Sequence, residues 1–131
     1  MRFLSIPIRV YYQDTDAGGV VFHGQYLAFM ERGRSELLNE AGVDLAQVAG
    51  TRGVQVMVSH LDVKYHRAAR LNEMLAATAE VVKIGRASIV FRQRVERASE
   101  LLVEAEVTLA VVDRARMKPA RMPIEIEQAL Q

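Results

Sequence analysis

Between Val10 and Leu27 the chain gathers the residue types that acyl-transfer chemistry needs: two carboxylates at Asp14 and Asp16, a Gly18-Gly19 pair and His23. The residues that follow carry a helical pattern, yet in Gly18-Gly19-Val20-Val21-Phe22-His23 no Ser, Thr, Asp or Asn stands beside the first helical turn. Its N–H groups are therefore expected to lack a side-chain cap and to remain open to an outside acceptor. An uncapped helix start, reached through a Gly-Gly turn, suits a developing oxyanion, and Asp16 would supply a base or nucleophile beside it. The competing reading makes Asp14 and Asp16 turn residues that bond their own backbone, a common role for aspartate.

These groups must be held by the elements on either side. Ile8, Val10 and Tyr12 alternate with Arg9, Tyr11 and Gln13, which predicts a strand over residues 3 to 13, with Pro7 tolerated near its start. Tyr26, Phe29, Met30, Gly33, Leu37 and Ala41 recur at helical spacing and predict a helix over about 23 to 41 that stops at Gly42. Gly33 in mid-helix costs ~1 kcal/mol against Ala, so close approach of a strand is expected there. Asp44 caps a short helix ending at Gly50. Four further strands are expected: 53–66 with a bulge between Val58 and Leu61, then 73–84 and 87–98 around a Gly85-Arg86 turn, then 101–113. Residues 114–123 read as a basic loop and 124–130 as a short closing helix. Strand, helix, then consecutive strands give an α+β domain, with an antiparallel sheet of about five to six strands wrapped over one long helix.

Composition limits the alternatives. The 131 residues fit one domain, 1–131, and 17 Lys+Arg against 16 Asp+Glu leave a net charge of +1, so no global field attracts nucleic acid or an anionic membrane. The absence of cysteine removes disulfides, thiolate nucleophiles and Cys-based metal sites. No stretch approaches the ~18 apolar residues of a spanning helix, and the first residues hold no apolar run long enough for a signal peptide. A cytoplasmic protein is expected.

The run from Tyr12-Gln13-Asp14-Thr15-Asp16-Ala17-Gly18-Gly19 through Val20-Val21-Phe22-His23 to Tyr26-Leu27 and Glu31-Arg32-Gly33-Arg34-Ser35-Glu36 resembles the signature of the 4-hydroxybenzoyl-CoA thioesterase family. Val63 to Leu71, Glu104 to Val107 and Met117-Lys118-Pro119 extend the likeness to the branch associated with the Tol-Pal system of Gram-negative bacteria. The resemblance implies the hotdog fold, hydrolysis of acyl-CoA thioesters without a cofactor, and assembly through edge strands into dimers, often tetramers, with active sites at subunit interfaces. It assigns catalysis to Asp16, carbonyl polarisation to the backbone amide of His23, and shaping of the site to the side chains of His23 and Tyr12. The family usually carries Ala where this chain has Gly33.

Other candidates are weighed on chemistry. Asp14 is expected to bond the turn backbone or the helix arginines, and Glu31 to pair with Arg34 or remain solvated. Gly19 and Val20 are expected to contact substrate at the turn. His66, Arg67 and Arg70, or Arg114, Arg116, Lys118 and Arg121, form local cationic groups able to hold the phosphates of coenzyme A, although surface solubility explains them equally well. His60, Asp62, Lys64 and His66 share a strand parity, but same-face neighbours lie ~6.5 to 7 Å apart along a strand, too far for a tetrahedral zinc set. A polar outer face, and no metal, is expected. The alternative to a hydrolase is a non-catalytic module binding acyl groups or an acyl carrier protein; a dehydratase would need a motif absent here.

Overall fold

The computed structural model describes residues 2–131. Five strands, β1 (Phe3–Arg9), β2 (Val54–Tyr65), β3 (Met74–Ile84), β4 (Ser88–Arg97) and β5 (Glu100–Asp113), form one antiparallel sheet in the order β1-β3-β4-β5-β2. The helix α1 (Gln25–Glu40) lies across its concave face against β3, β1 and β4. Two shorter helices, α2 (Leu45–Arg52) and α3 (Ile124–Leu130), complete the chain.

The packing follows the two periodicities. Tyr26, Phe29, Met30, Leu37 and Leu38 of α1 are buried against Leu75, Ala77, Ala79, Phe91, Val95 and the alternate residues Val103, Val107 and Val111 of the sheet. Gly33 is the point of closest approach. A Cβ there would stand 3.4 Å from Gln93 Nε2 and 3.7 Å from the carbonyl oxygens of Ala77 and Thr78, so the expected strand contact exists.

Three boundaries differ from expectation, each for a local reason. The first strand ends at Arg9 rather than near residue 13, because Asp14 captures the Tyr11 amide at 2.8 Å and curls Tyr12–Asp14 into a 3-10 turn. The long helix begins at Gln25, since the Gln25 amide donates to the Phe22 carbonyl and closes a turn over residues 22 to 25 first. The short helix passes Gly50 and stops at Gly53, whose φ of +67° supplies the left-handed conformation. At its other end the Asp44 carboxylate accepts from the Ala46 and Gln47 amides as expected. The bulge in β2 lies where the parity switch put it, between Val58 and His60.

Candidate active site

The segment from Asp14 to Phe22 folds back on itself. The Phe22 amide donates to the Asp14 carbonyl, Thr15 faces Val21, and the Asp16 amide donates to the Val20 carbonyl, leaving Ala17, Gly18 and Gly19 at the tip. The two glycines have separate reasons. Gly19 holds φ at +79°, and a Cβ on Gly18 would stand 3.1 Å from Asp16 Oδ1. Without that Cβ, the Gly18 amide donates to Asp16 Oδ1 at 2.8 Å. Asp16 is exposed, and among the described residues no donor engages its second oxygen.

Asp14 has the opposite environment. It is 3% exposed, its Oδ2 accepts from the Tyr11 amide and its Oδ1 from Gln25 Nε2, both at 2.8 Å. It ties the turn to the first residue of α1 and meets none of the helix arginines.

At the helix start, neither Gly24 nor any other side chain caps α1. Among the described residues the amides of His23 and Gly24 donate to no acceptor in the chain. His23 is exposed, its ring tilted at 43° against Phe22 at a centroid distance of 4.4 Å and edge-on to Tyr65 at 6.4 Å. The Tyr65 hydroxyl donates to the His23 carbonyl at 2.9 Å. Beside them a hollow of about 300 Å³ is lined by Val21, His23, Tyr26, Tyr65, His66, Arg67 and Ala68. Its far wall is pinned to the Gly-Gly loop, because the Val21 amide donates to Ala69 and Val20 faces Arg70 across an isolated bridge. The Ala69 amide in turn donates to the buried Tyr26 hydroxyl at 2.9 Å, and burial pushes the Tyr26 phenol above its ordinary value.

The cations divide. Arg70 stands beside Val20, whereas Arg67 is paired with Glu100 at 3.1 Å and His66 lies 3.5 Å from Glu104. Arg97 bonds both Glu73 and Glu100 and the carbonyl of Ala68, bracing the wall from behind. Lys118 is not brought to this place within one chain. Its carbonyl accepts from Asp113 at the far end of the β2–β5 ladder, where Asp113 faces Val54 while Tyr65 faces Val103. Tyr12 departs from the inner-face position expected of it. The 3-10 turn swings it off the strand parity, and it is 81% exposed. Glu31 and Arg34 form no ion pair. Arg34 is buried and donates to Gln93 Oε1 at 2.8 Å, and burial lowers its pKa against a smaller opposing pull from Glu31.

Two groups escaped sequence reasoning. Gln93, fully buried on β4, donates to the Met30 and Thr78 carbonyls while accepting from Arg34; the signal was a polar residue on the inward parity between Phe91 and Val95. Tyr65 stands at the last position of β2, and only its hydrogen bond to His23 at the start of α1 shows where its hydroxyl goes. On the same strand Asp62 and Lys64 lie among Arg92, Arg94, Glu104 and Glu106 on the outer sheet face, which is polar as expected.

An antiparallel sheet packed over a long helix, with an uncapped helix start on the same segment as an exposed carboxylate, is the arrangement of the hotdog class of thioester-cleaving proteins. Residues 18–104 match the family model described as the Thioesterase superfamily, and the chain belongs to that family. It is 40% identical over 125 residues to the acyl-CoA thioesterase YbgC of Haemophilus influenzae, covering 95% of this chain and 92% of the relative. It is 43% identical over 121 residues to the acyl-CoA thioester hydrolase YbgC of Escherichia coli O6:H1, covering 92% and 90%. The crystal structure of a probable thioesterase from Bartonella henselae superposes with a TM-score of 0.87 at 33% identity, covering 93% of this chain and all of that one. No helix among the described residues is long and apolar enough to cross a membrane.

Proposed function

We propose that the chain hydrolyses acyl-CoA thioesters to free acid and CoA, with Asp16 as nucleophile or general base and the His23 amide polarising the thioester carbonyl. The observation that carries this reading is the unused amide at the uncapped start of α1, on the same short segment as an exposed carboxylate with one free oxygen. Either the carboxylate attacks the carbonyl carbon, releasing CoA thiolate and leaving an anhydride that water opens, or it takes a proton from a water that attacks directly. In both routes the carbonyl oxygen gains charge, the amide and the helix dipole stabilise it, and the thiolate leaves with a proton. The His23 ring, beside the amide, orients water or relays that proton, and Tyr12 borders the approach from solvent.

Gly19 and Val20 contact the substrate at the turn, and Arg70 with Arg67 receives the CoA phosphates. The second wall is a second copy of the chain. β2 is a twelve-residue edge strand that exposes Met57, Val58, Leu61 and Tyr65, and a long apolar edge of this kind is normally paired. Antiparallel pairing of two β2 edges sets the Lys118 loop of one copy toward the Tyr65 end of the other, where a dimer, or a tetramer built from it, has use for a further cation. The working unit is then one hotdog domain over residues 1–131 in an oligomer acting in the cytoplasm. The donor is CoA or an acyl carrier protein, and the link to the envelope's Tol-Pal system rests on the family resemblance.

The test is steady-state hydrolysis of short, long and aromatic acyl-CoAs by wild type and Asp16→Asn. Wild-type turnover that falls at least 100-fold in Asp16→Asn, with folding unchanged, supports the reading; equal and negligible turnover by both favours a binding module. Single turnover in oxygen-18 water separates the routes, since only the anhydride leaves label in the Asp16 carboxylate.

A further inference from the structure

The hydrogen bond from Tyr65 to the carbonyl of His23 acts on a particular peptide. That carbonyl and the N–H of Gly24 belong to the same amide group, and the Gly24 N–H, like those of His23 and Tyr26, donates to nothing among the described residues. A donor bound to the oxygen of an amide draws charge toward that oxygen and makes the N–H of the same amide a better donor. The turn closed by the Gln25 amide on the Phe22 carbonyl has His23 and Gly24 at its centre, so both of their amides are left out of its hydrogen bond.

A Cβ on residue 24 would come within 2.8 Å of Phe22 Cε2, so a side chain there would displace the exposed Phe22 ring that lies tilted against His23. Tyr65 is poorly placed to be a core residue, being 47% exposed at the last position of β2. Its ring meets Tyr26 edge-on at 5.9 Å and His23 at 6.4 Å, which fixes the direction of its hydroxyl.

We propose that the thioester oxygen is held by two amides, those of His23 and Gly24, and that Tyr65 is a positioning residue that orients and strengthens the second. This rests on the hydrolase reading given above. Tyr65 touches no reacting atom; it acts through the peptide it bonds. Loss of one oxyanion donor lowers kcat by roughly 100- to 1,000-fold in enzymes where it has been measured. A second hydrogen bond on the same group strengthens the first by roughly 10 to 30%. Applied to the exponent, these two figures predict that removing the Tyr65 hydroxyl lowers kcat by roughly two- to eight-fold.

The test uses the full chain and Tyr65→Phe, which keeps the ring and its contacts and deletes only the donor. Kinetics with butyryl-, octanoyl- and benzoyl-CoA should give a two- to eight-fold lower kcat, alike for all three acyl groups, with KM unchanged. The Gly24 amide proton should move upfield in the nitrogen–proton correlation spectrum, a signature that a packing role for the ring would not produce. An unchanged kcat, a rise in KM alone, or a Gly24 resonance that stays in place would each overturn the role of Tyr65. Failure of wild type to turn over any of the thioesters would instead overturn the hydrolase reading, and the role of Tyr65 in catalysis with it.

Discussion

Asp14 and Asp16 are two residues apart and live in different physical worlds. One is buried with both oxygens bonded, the other exposed with one oxygen tied to a glycine amide. Their isosteric replacements should therefore fail in different assays. In Asp14→Leu, which keeps the shape, the Tyr11 amide and Gln25 Nε2 both lose their acceptor. An unsatisfied buried group costs about 1–3 kcal/mol, so thermal unfolding should show a lowered Tm. Asp16→Asn keeps an oxygen for the Gly18 amide and should unfold at the wild-type temperature while losing turnover. Equal Tm values for the two variants would remove the structural role assigned to Asp14.

Among the elements, the segment from His66 to Glu73 does the positioning, since it runs beside Val20 and Val21 and walls the hollow next to His23. It has no regular structure of its own, and polar bonds hold it. The Asn72 amide donates to Val10, the Val10 amide to Glu73, and the Glu73 carboxylate accepts from the Arg70 amide at 2.6 Å and from Arg97 at 2.8 Å. Burial pushes the Glu73 carboxyl up, but the Arg70 amide and the Arg97 guanidinium together outweigh it and hold it below its ordinary 4.5. A carboxyl depressed in the folded state adds stability that is fully present above its unfolded pKa and is lost as the pH falls through the folded value. Chemical denaturation from pH 6 downward should therefore show wild type losing stability below about 4.5 by more than Glu73→Gln does. Parallel curves for the two proteins would exclude this carboxylate as a source of acid sensitivity.

For the whole molecule the open question is the β2 edge. Val58 and Leu61 flank the bulge and are 51% and 39% exposed, and with Leu27, Met30 and Val107 they line a groove of about 330 Å³ against α1. A charge on such an edge is a recognised means of keeping it unpaired. Val58→Asp should thus shift light-scattering mass toward the monomer and reduce turnover along with it. A wild type that is monomeric at micromolar concentration would refute the paired edge and leave the second wall of the site unexplained.

How much of this was legible in the chain depends on the range of the interaction concerned. Strand parity, the bulge near residue 59, the uncapped start of α1, the Asp44 cap and the close approach at Gly33 all follow from the residue's own type and its near neighbours. The connection expected at residues 99 and 100 falls one residue earlier, on Ala98 and Ser99, because both take positive φ, at 47° and 70°, in a turn that usually selects Asn and Gly; the β4–β5 pairing imposes it. The end of the first strand was misread for a similar reason, since a single buried carboxylate redirected the backbone after Arg9.

The sequence by itself determined that a helix would open without a side-chain cap next to a Gly-Gly turn carrying Asp16, for these are facts of composition and spacing. Only the tertiary structure decided what surrounds that helix start. The 66–73 segment, Arg97 and the Tyr65 hydroxyl arrive there from 42 or more residues further along the chain than His23. Their placement depends on sheet register and on the curl of the sheet around α1, which no local pattern encodes.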